Sequence, residues 1–323
     1  MNGNPPDHPG DLFFEIIVLM KKADVYVVMT AFLFATMEVA CKIGAATLDP
    51  FQLTFMRFAI GGLLLLPFAL SHIRKNGITI TARDHLILAC VGLLGVTISM
   101  SLFQISVDMC NASTVSVLIC INPFFTMVFA HLLTAEKLNR RKLLVLFFAL
   151  LGIVFMVRPW DIQEGNSALG MALMILSALV FGLYTVAGKV SQRKMGLLAQ
   201  TSFSFIYGSA VLLIVLLVTG KPVIAGAGDD VWIIIYTGVF VTGIGYYCYF
   251  KAIELADAAT GSFAFFIKPA IAPIIAMIVL KETILWNSVV GIILVLIASA
   301  INLIPGIYHS RKNNGEKNGQ TEE

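Results

Sequence analysis

Ten runs of predominantly apolar residues, joined by short polar connections, organise the chain: Val25–Ala46, Phe51–Ser71, His85–Val107, Ala112–Leu133, Leu143–Val157, Ala168–Lys189, Ala199–Thr219, Val231–Lys251, Ala258–Leu280 and Ser288–Tyr308. A helix needs about 20 apolar residues to cross the hydrocarbon of a bilayer. Only in a helix or a closed barrel does the backbone satisfy its own polar groups there. The pattern therefore predicts an all-α integral membrane protein with ten transmembrane helices. None of the connections is long enough for a soluble domain. Residues 1–24 form a polar, Pro-rich lead-in whose only apolar stretch, from Leu12, is interrupted by Glu15 and is too short to span. It reads as an interfacial segment, not a cleaved signal. Residues 309–323, rich in Asn, Lys, Gly and Glu, predict a disordered tail.

Charge gives the orientation. With the N-terminus inside, the inner segments carry 15 Lys and Arg and the outer ones carry 3, namely Arg158, Lys221 and Lys281. Basic residues favour the cytoplasmic side, so both termini are expected in the cytoplasm and the membrane is expected to be the cytoplasmic membrane of a prokaryote. Composition agrees. Of 323 residues, 58% are apolar and 13% charged, with mean hydropathy +0.89. A soluble domain carries about 25% charged residues. A net charge of +3 offers no footprint for nucleic acid.

The two halves resemble each other at a nearly fixed offset. FATMEVACKI from Phe34 lies 147 residues before FGLYTVAGKV from Phe181, which brings Lys42 onto Lys189. An offset of 146 brings VDMCNAST from Val107 onto IELADAAT, Pro123 onto Pro269, Glu136 onto Glu282 and Gly92 onto Gly238. Each copy holds five spans, and an odd number inserts the second copy upside down. Residues 25–158 and 168–308 are thus expected to be inverted five-helix repeats, joined by an extracytoplasmic linker at 159–167. Inverted repeats are the architecture of alternating-access carriers with a site near the midplane.

The paired segments NPFFTMVFAHLLTAEKL from Asn122 and KPAIAPIIAMIVLKETI from Lys268 carry a helix-opening proline, small residues on one face and a terminal glutamate. Together with Asp49-Pro50 and Arg57, they resemble the drug/metabolite transporter superfamily, in particular its EamA-type members. The resemblance spans about Val25 to Ile304. It implies a ten-helix secondary transporter, usually an exporter of amino acids or other small metabolites, with substrates elsewhere in the superfamily ranging from cationic drugs to sugar phosphates.

Charge inside a span costs about 2.5–3.5 kcal/mol per residue at the helix centre, which singles out Glu38, Lys42, Arg57, Lys189 and Lys268. Arg57 and Lys189 lie near helix ends, where a long side chain can reach the headgroups. Glu38 and Lys42 share a helix face and are expected either to neutralise each other or to gate and couple transport. Lys268 sits mid-span beside Pro269 and Pro273, whose missing N–H groups release the carbonyls of Phe265 and Pro269. It is expected to bind an anionic or zwitterionic substrate, or else to pair with Glu38. Its repeat mate Asn122, directly before Pro123, supplies a neutral polar group. Pro123, Pro269 and Pro273 are read as helix breakers. Tyr184 and Tyr246 lie too deep for interfacial anchors and are expected to line the cavity.

The five Cys form no CxxC pair and the five His lie at ends or in loops, so no metal and no cofactor is expected. No phosphate-binding glycine loop and no nucleophile–base constellation is present, which argues against an enzyme. The expected partners are a small-molecule substrate, the lipid bilayer and either protons or a counter-substrate, in a monomer or homodimer. A single Glu on the first helix resembles the proton-coupled small multidrug resistance relatives. A proton-coupled efflux pump for lipophilic cations is therefore the alternative, and a non-transporting membrane sensor or scaffold the alternative of another class.

Overall fold

The structure is a computed structural model that describes residues 22–298 apart from 138–139, 159–161, 163, 257, 259–260, 262–263, 284–285, 288 and 295–296. The described residues are almost wholly helical and contain no strand. The expected lead-in before Lys22, the tail 309–323 and most of the tenth span lie outside them. Among the described residues, seven helices are long and apolar enough to cross a membrane: α1 (Lys22–Gly44), α2 (Pro50–Asn76), α3 (Ala82–Met109), α4 (Ala112–Leu133), α6 (Ala168–Met195), α7 (Leu197–Val218) and α8 (Val231–Leu255). Two further apolar helices are α5 (Arg140–Val157) and α9 (Ala264–Leu280). Residues 286–287, 289–294 and 297–298 are helical as well.

Local chemistry sets several boundaries. Asp49 accepts from the Phe51 N–H and Pro50 occupies the first turn of α2, where the missing proline N–H costs nothing. Gly77 closes α2 in the left-handed region at φ 60°. Thr81 and Asp84 form a reciprocal capping box at the start of α3. α2, α3 and α6 each run a turn or more beyond the apolar stretch, because their caps lie in the flanking polar residues.

Helix α3 changes to π-helical winding over Leu93–Met100, and α8 does so over Tyr236–Gly245. Apolar periodicity does not disclose this, since one inserted residue per turn leaves the run apolar. The two stretches begin near Gly92 and Gly238, which are 146 residues apart. Such winding often marks functional sites.

The helices pack across the two halves of the chain. α1 lies against α8 and α9, α6 lies against α3 and α4, and α2 makes its most extensive contact with α7. Glycines allow the closest approaches. A Cβ at Gly92 would stand 2.1 Å from the Ser204 carbonyl oxygen of α7, and one at Gly95 would stand 2.4 Å from the Tyr184 ring of α6. One apolar core fills the interior between the halves, from Phe34 and Met37 through Phe103 to Phe181, Phe205, Tyr246 and Phe265.

Proline does not break α9. The helix continues through Pro269 and Pro273 from Ala264 to Leu280, correcting the expectation of a break. It is wedged between α1 and α4, so packing holds the helical path while the lost backbone bonds lie inside protein. Pro123 likewise follows a tightened 3₁₀ turn at Ile119–Ile121 and stands in the first turn of the resumed helix.

Candidate transport site

Between the halves lies a small chamber walled by Phe34 and Met37 (α1), Met100 and Phe103 (α3), Ile119 (α4), Phe181 (α6), Tyr246 (α8) and Phe265 (α9). Four of these rings close on one another. Phe34 lies 5.0 Å from Tyr246 and 5.9 Å from Phe265, while Phe181 lies 6.0 Å from Tyr246 and 5.7 Å from Phe265. Such spacing suits edge-to-face contacts. The chamber is small, with about 10 Å³ open to the centre of a water-sized sphere, about the room of one water molecule. Tyr246 reaches Met100 Sδ through its hydroxyl at 3.2 Å.

A charged pair lies in the same region. Lys268 of α9 donates to Glu38 Oε1 of α1, and their side chains are 0% and 1% exposed. The ammonium also stands 5.7 Å from the centre of the Phe265 ring. Glu38 Oε2 has no hydrogen-bond partner. The pair joins the first half of the chain to the second. Its burial makes each charge dependent on the other, because removing one leaves an uncompensated ion in an apolar interior.

Glu38 does not pair with Lys42, contrary to one of the two sequence expectations. Lys42 Nζ instead donates to the carbonyls of Val107, Asp108 and Cys110 at 2.7, 3.1 and 2.9 Å. Those are the orphan acceptors at the C-terminal end of α3, where a cation is favoured. Asn122 is buried, donates to the Ala178 carbonyl of α6 at 3.1 Å and accepts from Thr126. Its side chain serves helix packing and is not among the chamber walls. Tyr184 is also absent from them. Its ring packs against Phe181 and Phe250, behind the chamber, and its hydroxyl is buried without a partner. Of the expected cavity tyrosines only Tyr246 borders the chamber.

Arg57 corrects the sequence reading most sharply. It is 0% exposed, so its guanidinium does not reach the headgroups. α2 turns this face towards α1 and α3. Nη1 donates to Met37 Sδ at 3.3 Å, and Cζ lies 4.7 Å from the Phe58 ring centre and 5.8 Å from that of Phe103. Cation–π contacts of this kind are worth about 2 kcal/mol when desolvated, less than the several kcal/mol that burying the ion costs. Nε and Nη2 have no hydrogen-bond partner.

The opposite ends of the bundle carry matching contacts. Glu136, just past α4, takes a hydrogen bond from Lys189 Nζ of α6 at 2.6 Å and one from the Ala258 N–H at 3.4 Å. Lys189 is therefore an ion-pair partner rather than a headgroup anchor. Glu282, just past α9, accepts from the N–H groups of Ala112 and Ser113 at 2.8 and 3.0 Å and from the Ser113 hydroxyl at 2.5 Å. It thus caps the N-terminus of α4, where anionic charge is favoured. Lys281 turns the chain at φ 57°, directly before this contact. Among the described residues no group of three or more His, Cys, Asp or Glu is placed to hold a metal.

A multi-span helical protein with an apolar chamber and a buried cross-half ion pair belongs among the membrane transporters. Residues 21–158 and 168–304 each match the EamA-like transporter family, and the chain belongs to that family. It is 36% identical to an uncharacterized transporter of Clostridium kluyveri, over 88% of this chain and 93% of that one. The uncharacterized transporter YyaM of Bacillus subtilis is 24% identical over 88% and 97% of the two chains. The pseudopaline exporter CntI of Pseudomonas aeruginosa is 25% identical over 45% of this chain and 50% of its own. A solved crystal structure aligns at TM-score 0.66 and 15% identity, covering 88% of this chain and 97% of the other; that likeness concerns the fold alone.

Proposed function

We propose that this transporter is a secondary carrier of ten helices in two inverted repeats, which exports a small zwitterionic or anionic metabolite by alternating access. One observation supports this above all. Glu136 and Glu282, 146 residues apart, stand at opposite ends of the bundle. Glu282 accepts from Ala112 and Ser113 at the start of α4, and Glu136 accepts from Ala258, 146 positions after Ala112. Two matching clasps, one per membrane face, are what a carrier needs to open one end while the other stays shut. With both formed and the chamber reduced to the room of about one water, the conformation corresponds to an occluded carrier. In this reading Glu38 and Lys268 couple cargo to conformation, since their pair must loosen when the halves move apart. Lys42 steadies the outer end of α3, both termini face the cytoplasm, and protons or a counter-substrate drive the cycle.

The test is side-specific thiol labelling of single cysteines introduced near each end, in vesicles of known orientation. Glu282→Gln should raise labelling at the outer end and Glu136→Gln at the inner end, each by several-fold. Equal effects of either variant on both ends would refute the two-clasp carrier. A second reading, proton-coupled efflux of lipophilic cations, draws on the aromatic chamber beside Glu38. It predicts that Glu38→Gln abolishes flux of lipophilic cations, whereas the first predicts no such flux in the unmodified protein.

A further inference from the structure

We infer that Arg57 is the carboxylate-binding residue of this carrier, and that the chamber beside it, which has room for about one water in this closed conformation, widens as the halves separate to receive the aromatic or branched apolar body of a monocarboxylate. The inference rests on the carrier reading above and adds the chemistry of the cargo. Arg57 is fully buried, and its recorded contacts are the Met37 sulfur and the rings of Phe58 and Phe103. None of these is an anion; Glu38, next to Met37, lies within electrostatic range of Arg57 but is hydrogen-bonded to Lys268 instead, so the two cations share one carboxylate. The two nitrogens without a partner are Nε and Nη2. On a guanidinium those two share one edge, with N–H bonds running parallel, and that edge is the one a carboxylate grips with both oxygens. The third nitrogen donates to Met37, so the unpaired edge, covered by protein in this conformation, is the one that a carboxylate would take with both oxygens once the halves separate.

Met37 and Phe103, which touch the guanidinium, also wall the chamber, whose lining is otherwise aromatic and aliphatic. Arg57 itself is not a wall of the chamber but lies directly behind Met37 and Phe103, so a ligand carboxylate that reaches it between those two side chains leaves its carbon skeleton among Phe34, Phe181, Tyr246 and Phe265. Small polar acids would leave those rings uncovered, and phosphorylated sugars would bury hydroxyls with nothing to bond. Lys268 is a weaker candidate for the same task, because its charge is already matched by Glu38. The carboxylate can belong to an α-amino acid or to a plain acid. Glu38 Oε2, also without a partner, is the group that would favour the ammonium of the former.

The experiment uses the full chain, purified in detergent and, separately, reconstituted in proteoliposomes. Binding of 3-phenylpropionate, phenylalanine, 4-methylvalerate, acetate and 3-phenylpropionamide is measured calorimetrically for the unmodified protein, Arg57→Lys and Arg57→Gln. The inference expects binding of the apolar acids, at least tenfold weaker binding of acetate and of the amide, and at least a tenfold loss in Arg57→Lys, which keeps the charge but not the two-pronged edge. Should Arg57→Gln fail to fold, Arg57→Lys still decides. Phenylalanine at least tenfold tighter than phenylpropionate identifies an amino acid, and the reverse identifies a plain acid. Equal binding of acid and amide, unchanged affinity in Arg57→Lys, or no binding of any apolar acid overturns the inference. The liposomes separate it from the carrier reading. Flux of any other solute that is preserved in Arg57→Lys leaves the carrier intact while the carboxylate site falls.

Discussion

Breaking the Glu38–Lys268 pair tests whether it is the structural link that the geometry implies. Both side chains are at most 1% exposed, so neither ion can recover its hydration when its partner is removed. Removing one partner of such a pair typically costs about 3–5 kcal/mol. The surroundings make the two single variants unequal. In Glu38→Gln the ammonium keeps an amide oxygen as acceptor and the Phe265 ring 5.7 Å away, which places the cost near the lower figure. In Lys268→Met the carboxylate loses the one side-chain hydrogen bond it has among the described residues, since Oε2 has none, and the charge of Arg57 reaches it without a hydrogen bond, which places the cost near the upper one. The double variant Glu38→Gln/Lys268→Met removes both charges and should recover about 2 kcal/mol or more of the summed loss, within the range found for directly coupled residues. The assay is unfolding by SDS titration in mixed micelles, followed by far-UV circular dichroism. Additive single effects, or a greater loss in Glu38→Gln than in Lys268→Met, would refute the reasoning.

Other outcomes follow from particular contacts. Gly92→Ala places a methyl 2.1 Å from the Ser204 carbonyl oxygen, so α3 and α7 must separate; a loss of about 1–3 kcal/mol is expected in the same titration, and an unchanged midpoint would mean that the helices are less tightly apposed. Lys42→Met removes three bonds to the end of α3 and should cost about 1 kcal/mol, with faster amide exchange confined to the residues around Val107–Cys110. Tyr246→Phe removes only the contact with Met100 Sδ while keeping the chamber ring, so binding of apolar acids should change less than threefold; Tyr246→Ala opens the wall and should weaken it at least tenfold in the same calorimetric measurement.

The membrane character, the helix positions among the described residues and the family were legible along the chain because each depends on local quantities: the length of an apolar run, a cap such as Thr81 with Asp84, a proline beside a lysine. The match of Glu136 with Glu282 was legible as well, because both are single acidic residues at fixed distance from a proline. What could not be read is which way each side chain faces. Lys42 shares a helix face with Glu38, yet it finds the carbonyls at the end of α3, which no spacing within α1 reveals. Tyr184 and Asn122 are deep and polar, as a cavity residue would be, but their surroundings are set by helices 56 or more residues away in sequence, such as Ala178 against Asn122. The π-helical turns of α3 and α8 rotate the residues that follow them, so a face counted at 3.6 residues per turn drifts off the true one. Arg57, in the regular α-helix α2, shows that the facing is hidden even without such a turn. Seven residues from Pro50, it lies about 10 Å along α2 from the helix end, close enough for headgroup contact if the face were towards lipid. The packing of α2 on α7 and α8 leaves Arg57 facing inward instead, and depth alone cannot distinguish the two. For a long cation in a membrane helix, the face decides whether its charge meets headgroups or must find an anion inside the protein.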